Sequence, residues 1–99
     1  MTLVGSGGIS ISDLNTTKRF DKDYAKLERQ LKELVNEKIT GILINPMPPG
    51  LRFEKLKGYS KPSIYTIHIT GNYKVSLEIL GNMATLRRVA CHDDINRNP

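Results

Sequence analysis

The chain has 99 residues, of which 38% are hydrophobic and 25% are charged, and its formal net charge is +5. This length supports one hydrophobic core, and the composition excludes a disordered or a fibrous chain. The charge is uneven, because residues 1–50 carry seven basic and six acidic side chains whereas residues 51–99 carry eight basic and four acidic ones. The basic second half favours a polyanionic partner.

Features that are missing from the sequence exclude several classes of protein. No apolar run approaches the roughly 18–20 residues that cross a bilayer, so no membrane association is expected. The N-terminus lacks the basic head and apolar stretch of a secretory signal. The single cysteine, Cys91, forms neither an internal disulfide nor a cysteine-based zinc site, which favours a cytoplasmic location. Nucleotide-binding and zinc-protease motifs are absent, and no cofactor or metal is expected.

A loose head is expected to precede the domain. Residues 1–8 are rich in Gly and Ser, which predicts a flexible head, and residues 9–99 then form a single domain. Ile9 and Ile11 alternate with serines, so a short strand is expected at this point.

The next segment has the pattern of amphipathic helices. Thr16 or Thr17 is the expected N-cap. Apolar residues then recur at intervals of three and four, at Phe20, Tyr24, Leu27, Leu31, Leu34 and Val35. The apolar pattern shifts phase near Asn36, which favours a hairpin of two helices over about 18–35 and 37–44. One long bent helix is the alternative.

The second half is predicted to be β-structure. Strands are expected at 51–56, 65–70, 74–79 and 83–91, the first of them a strand or an irregular extended piece. Gly58 is expected to end that first piece, and a turn is expected at 60–62. Alternating polarity on both sides of Gly71 and Asn72 is typical of a β-hairpin.

The element order β-α-α-β-β-β predicts an α+β fold, in which a helical hairpin packs on one face of a small, mainly antiparallel sheet. The helical stripe would cover the side chains that alternate on one face, namely Tyr65, Ile67, Ile69, Val75, Leu77 and Ile79. The other face would be open and would present Thr66, His68, Lys74, Ser76 and Glu78.

Three segments of the β half carry patterns that occur together in one toxin family. They are PGLRFEKLKG at 49–58, IYTIHITGNYKV at 64–75 and LRRVACHDD at 86–94. These segments are similar to the family patterns PGLR-x-E-x-LKG, YSIRI-x-x-x-YRV and L-x-RV-x-x-HD. With the helical segment that begins near Phe20, the chain resembles the RelE/ParE superfamily of toxins from type II toxin–antitoxin systems.

The resemblance implies a function and two partners. Many members are mRNA interferases, which cut mRNA in the decoding site of the ribosome, and each is inhibited by an antitoxin encoded beside it. The resemblance to this RelE-like branch implies a ribosome-dependent endoribonuclease with mRNA on the ribosome and a cognate antitoxin protein as partners. The alternatives are a non-catalytic ParE-like toxin that binds DNA gyrase, or an inactive homologue acting as a small basic binding module.

Two histidines favour the nuclease, because binding to gyrase needs no acid–base pair. Metal-independent RNA cleavage must deprotonate the 2′-OH, protonate the leaving oxygen and stabilise the charged phosphate, and histidine suits both proton transfers. The resemblance makes His92 the first candidate for general acid or base, with Asp93 orienting its ring. His68 would complete the pair, and Lys74, where relatives have arginine, would stabilise the phosphate. A loop histidine that caps a strand and an exposed strand histidine are the plainer alternatives.

Further basic and aromatic residues are candidates for binding RNA. The expected phosphate contacts are Arg52, Lys55, Lys57, Arg87 and Arg88. Tyr73 is expected to stack on a base, and Glu54 is a base in principle or a partner for neighbouring cations. The chain departs from the family at His68 and Lys74, where relatives have arginine, and at Asn96, because relatives carry an aromatic residue a few positions after the His-Asp pattern.

Overall fold

The computed structural model describes residues 11–44, 48–60 and 63–99. The helices are α1 (Lys18–Ala25), α2 (Arg29–Ile42) and α3 (His92–Arg97). The strands are β1 (Asp13–Thr16), β2 (Glu54–Ser60), β3 (Ser63–His68), β4 (Tyr73–Leu80) and β5 (Met83–Cys91). The predicted α+β class is confirmed. Within the described ranges, none of the helices combines the length and the apolar character that crossing a membrane requires.

The two early helices begin where the sequence predicts but divide at a different residue. Thr17 caps α1, and its hydroxyl accepts a hydrogen bond from the backbone N–H of Phe20 at 3.0 Å. The break between α1 and α2 lies before Glu28, whose backbone is extended, and not near Asn36. The apolar stripe continues in phase across this break, so its periodicity could not show it. Asn36 lies within α2 and accepts a hydrogen bond from the Tyr24 hydroxyl at 3.0 Å.

The helical stripe packs on one face of the sheet, as predicted. The buried members of this core include Phe20, Val35, Ile67, Val75 and Leu77. Partly buried residues pack against them, among them Tyr24, Leu27, Leu31, Leu34, Tyr65 and Ile79. Burial of this apolar surface is the main favourable term in the folding of the domain.

The sheet has five strands in the order β1-β5-β4-β3-β2. β1 runs parallel to β5, and the other neighbouring strands are antiparallel. The first strand forms at Asp13–Thr16, whereas the pattern at Ile9 and Ile11 predicted it earlier; residues 9 and 10 lie outside the described ranges. Gly58 does not end β2. It lies inside the strand at φ +90°, where the register of β2 against β3 shifts. The turn predicted at 60–62 involves residues 61 and 62, which are also outside the described ranges.

A β-bulge in β5 sets the direction of the residues that follow it. Leu77 of β4 pairs with Leu86, but the preceding Ser76 pairs with Arg88, so Arg87 is an extra residue in the strand. The extra residue reverses the alternation of side chains. Leu86 and Val89 therefore both belong to the helix-covered core. After the bulge, Ala90 and His92 alternate with Val89 and Cys91, so Ala90 and His92 point to the other face of the sheet.

The second face of the sheet is not open, contrary to the prediction. Thr66 and Ser76 are 1% and 0% exposed, and α3 packs against β4 and β5 on this side of the sheet. Ile64, Ala90 and Ile95 are also buried but stand outside the main core cluster, and they form a second, smaller apolar layer. Six residues with a single large apolar side chain are too short to show helical periodicity, so α3 was missed.

A buried ion pair connects α1 to the bulge. Arg88 Nε lies 3.0 Å from Asp23 Oδ2, and the two side chains are 11% and 10% exposed. The same carboxylate oxygen accepts a hydrogen bond from the backbone N–H of Val89 at 3.3 Å. Arg88 Nη1 and Arg87 Nε donate to the backbone carbonyls of residues 98 and 99, each at 3.2 Å. The two arginines at the bulge therefore connect β5 to α1 and to the residues that follow α3.

We expect Asp23→Ala to lower the free energy of unfolding by about 3 kcal/mol, because it leaves the Arg88 guanidinium buried without its counter-charge. Glu33→Ala is the matched control, since it removes an ion pair with Arg29 in which both side chains are largely exposed, and it should cost less than about 0.5 kcal/mol. Urea denaturation measures both. Equal losses for the two variants would contradict the structural role of the Asp23–Arg88 pair.

Candidate functional site

The two histidines of the chain come together at one end of the sheet. His68 is the last residue of β3 and His92 is the first residue of α3. Their rings meet edge to face, with centroids 5.0 Å apart and an interplanar angle of 84°. The backbone N–H of His92 donates to the carbonyl of Asn72 at 2.9 Å, which fixes the start of α3 against the β3–β4 turn. We call His68 and His92 the histidine pair.

Cationic side chains flank the histidine pair. Lys74 lies directly opposite His68 in the β3–β4 ladder, and Ala90 lies opposite Lys74 on its other side. Arg52 stands just before β2 and is the one described non-glycine residue with a positive φ, 52°. A residue held in this conformation costs roughly 1–2 kcal/mol, and such conformations cluster at functional sites.

Glu54 adds one negative charge to this environment. It pairs with Thr66 in the β2–β3 ladder, so it lies on the same face as His68. From the sequence, Glu54 is a base in principle or a partner for neighbouring cations. Its register could not be derived from the sequence, because the bulged pairing of β2 sets which of its residues share a face with β3.

The surroundings favour a neutral His68. Burial lowers the pKa of His68 below its ordinary value of 6.5, and the positive charges of Arg52 and Lys74 lower it further. The nearby His92 acts in the same direction, whereas Glu54 opposes the shift. A neutral imidazole at pH 7 is able to accept a proton.

One nitrogen of each ring in the histidine pair is buried and unpaired among the described residues. Nδ1 of His68 and Nε2 of His92 are buried, and neither has a hydrogen-bond partner within the described part of the chain. The other nitrogen of each ring, Nε2 of His68 and Nδ1 of His92, is not among the buried unpaired atoms. The two rings therefore differ in which nitrogen points inward.

Asp93 does not form the predicted contact with His92 in the described structure. Asp93 is exposed, and the hydrogen bond found for it joins its backbone carbonyl to Arg97 Nε at 3.4 Å. No hydrogen bond between the Asp93 carboxylate and either histidine occurs among the described residues. Asn96, where relatives carry an aromatic residue, is exposed on α3, four residues after His92. The orienting role of Asp93 stays a prediction.

The structure places the other predicted RNA-binding residues away from the histidine pair. Lys55 pairs with Tyr65, a residue of the helix-covered face, and both Lys55 and Lys57 line a groove of about 550 Å³ along β2. Arg87 and Arg88 line a separate cleft of about 810 Å³, where each forms an ion pair within the chain. Tyr73 packs against the main core. Of the five predicted phosphate contacts, Arg52 is the one that lies beside the histidine pair.

Metal-binding groups are not evident in the described ranges, where no three His, Cys, Asp or Glu side chains come together in an arrangement that would hold a metal ion. The polar atoms of the site are two imidazoles, an ammonium, a guanidinium and a carboxylate. These groups are able to transfer protons and to bind a phosphate.

Comparison with known proteins establishes the fold. No family model matches the sequence, and no curated protein matches it. Among solved structures, YafQ from E. coli strain BL21(DE3) superposes with a TM-score of 0.70 at 14% identity, covering 84% of this chain and 96% of that chain. A chain of the RelB–RelE antitoxin–toxin complex from Methanococcus jannaschii superposes with a TM-score of 0.63 at 26% identity, covering 86% and 99%.

The chain has the RelE-like toxin fold. The YoeB dimer from Staphylococcus aureus supports the same conclusion, with a TM-score of 0.64 at 17% identity over 81% of this chain and 95% of that chain. The resemblance that the three sequence segments carried is therefore confirmed for the fold. In this RelE-like fold, the segments bring Arg52, His68, Lys74 and His92 to one end of the sheet.

We expect an NMR titration of His68 to have its midpoint below pH 6.5. Lys74→Met should raise the pKa of His68, because it removes a positive charge, and Glu54→Gln should lower it further. Because the folded-state pKa lies below the unfolded value, the unfolded chain binds more protons near pH 6. The chain should therefore lose stability as the pH falls from 6.5 through the folded-state pKa. A midpoint above pH 6.5 would show that the surroundings do not favour the neutral ring.

Proposed function

We propose that the chain is the toxin of a type II toxin–antitoxin system and that it cleaves mRNA on the ribosome by metal-independent acid–base chemistry. The observation that carries this proposal is the contact between His68 and His92, with centroids 5.0 Å apart and flanked by Arg52 and Lys74. A pair of imidazoles beside two cations is suited to moving two protons around a phosphate.

The proposed reaction assigns one task to each group. His68, held neutral, accepts the proton of the ribose 2′-OH, and the freed oxygen attacks the adjacent phosphorus. The bond from phosphorus to the 5′-oxygen breaks, His92 gives that oxygen a proton, and a 2′,3′-cyclic phosphate remains. Lys74 and Arg52 stabilise the negative charge that builds on the phosphate oxygens. Lys74 acts here as a point charge, since it lacks the two-pronged geometry of arginine.

An antitoxin partner is part of the proposal. The similar structures include the E. coli DinJ–YafQ toxin–antitoxin complex, at 16% identity, and the archaeal RelE–RelB complex from Pyrococcus horikoshii OT3, also at 16%. By likeness of fold we propose that a cognate antitoxin protein binds this chain and blocks its activity. The ribosome as target places the protein in the cytoplasm.

The decisive test is expression of the chain with and without substitutions in the histidine pair. His92→Ala and His68→Ala should each slow cleavage of ribosome-bound mRNA by roughly 10²–10⁴-fold, the range for loss of a general acid or base. Primer extension on mRNA from arrested cells measures the cleavage. Arg29→Ala is the matched control, because Arg29 is exposed on α2 and should leave the rate unchanged.

The outcomes separate this function from the alternatives. Cuts within codons that disappear in the histidine variants support the nuclease. DNA damage without mRNA cleavage would instead support a toxin that acts on DNA gyrase. Normal growth on induction, with folded protein shown by circular dichroism, would contradict a toxin of either kind.

A further inference from the structure

A third buried polar atom lies close to the histidine pair and has no hydrogen-bond partner in the described ranges. It is Oγ of Ser76, which joins Nδ1 of His68 and Nε2 of His92 as the buried unpaired side-chain atoms of the described residues. Buried polar side-chain atoms are satisfied in the large majority of cases, so each exception calls for an explanation. Because the three unpaired atoms lie on neighbouring elements of one small domain, we expect a single explanation for all of them.

The strand register places Ser76 next to His68. Ser76 pairs with Thr66, and Lys74, two residues earlier on β4, pairs with His68. Ser76 is therefore a diagonal neighbour of His68 on the same face, and such neighbours lie roughly 7–8 Å apart. Ser76 is 0% exposed beneath α3, the helix that begins with His92.

Packing does not explain a serine at this position. An unpaired buried hydroxyl costs stability, whereas alanine would occupy the same space without that cost. The buried apolar residues on the same face as Ser76 are Ile64, Ala90 and Ile95. A polar residue in this layer is therefore expected to serve the site and not the stability of the fold.

The spacing suits a group that bridges the three atoms. Diagonal neighbours on one face of a strand pair are within reach of each other's side chains, so one water molecule is able to hydrogen-bond to both. A buried water typically makes about three hydrogen bonds, and the three unpaired atoms offer that number. A serine hydroxyl both donates and accepts, so it is able to hold such a water in either orientation.

We propose that Ser76 is a positioning residue that holds a water molecule against His68 Nδ1 and so sets the tautomer of His68. In this arrangement Nδ1–H of His68 donates to the water, and the water donates to Ser76 Oγ, with His92 Nε2 as the third partner. The lone pair of His68 is then on Nε2, which is not among the buried unpaired atoms, and there it accepts the substrate proton. The catalytic consequence rests on the proposed nuclease function, whereas the tautomer does not.

The test compares Ser76→Ala with the conservative Ser76→Thr and with Thr66→Val, which removes the hydroxyl of the paired residue on β3. Nitrogen-15 NMR at pH 7.5 reads the tautomer of His68, urea denaturation reads stability, and cleavage of ribosome-bound mRNA gives kcat and KM. In the unsubstituted protein His68 should carry its proton on Nδ1.

Ser76→Ala should give a mixture of tautomers and lower kcat by roughly 10–100-fold with KM unchanged, the size of effect seen when a supporting hydrogen bond to a functional ring is lost. Its stability should not fall, because no hydrogen bond within the chain is lost. Ser76→Thr should restore both the tautomer and kcat. Thr66→Val should leave the tautomer as it is.

Several results would overturn the inference about Ser76. A proton on Nε2 of His68 in the unsubstituted protein would do so without any variant. An unchanged tautomer in Ser76→Ala, or a loss of stability without a change of tautomer, would show that the hydroxyl has a structural role only. If the tautomer responds as expected but no form of the protein cleaves mRNA, the positioning role of Ser76 stands and the nuclease function is wrong.

Discussion

The arrangement of the site depends on one extra residue in β5. Side chains alternate along a regular strand, so a continuous β5 would point Leu86 and His92, six positions apart, to the same helix-covered face. The bulge at Arg87 reverses this alternation, and His92 emerges on the face that carries His68. The 5.0 Å contact between the rings is therefore a consequence of strand register.

A bulge needs support, because its extra residue leaves the hydrogen-bond ladder locally incomplete. Asp23 of α1 provides that support, since its carboxylate accepts from both the Val89 backbone N–H and the Arg88 side chain. The ion pair is almost fully buried, and a buried pair is strongly destabilising when one member is removed. The two arginines at the bulge also hold the carbonyls at the end of α3, so the helix that begins with His92 is fixed at both ends.

The sequence predicted the elements that rest on repeated patterns and missed those that rest on single contacts. The apolar stripe from Phe20 to Val35 and the alternation around the β3–β4 hairpin recur over several residues, so both were visible. The division before Glu28 left the stripe in phase, and α3 has one buried apolar residue, Ile95, so neither left a periodic signal. The paired arginines obscured the alternation of the last strand, and the bulge is the physical reason.

The candidate site was predictable in part for the same reason. Similarity of three short segments pointed to the two histidines and Lys74, and the structure brings these residues together. The similarity did not separate Arg52 from Arg87 and Arg88, because all three are cations in matching segments. Among the described residues, Arg87 and Arg88 differ from Arg52 in that each forms an ion pair with a carboxylate of the chain. Ser76 was expected on an open face, where a polar residue is ordinary, so nothing in the sequence singled it out. It became informative once α3 was seen to bury it.

The remaining peculiarities of the chain collect at the same end of the sheet. Arg52 is held in a left-handed conformation, cations lower the pKa of His68, and three buried polar atoms are unpaired within the described ranges. Each of these features costs stability, and among the described residues the helix-covered core on the opposite face has none of them. Replacing Arg52 by glycine, Ser76 by alanine and His68 by an apolar residue would remove the backbone strain and two of the three unpaired polar atoms. The two proposals account for their coincidence at one place: under the proposed function the cations would bind the substrate phosphate, and the water proposed beside Ser76 would pair the three buried polar atoms.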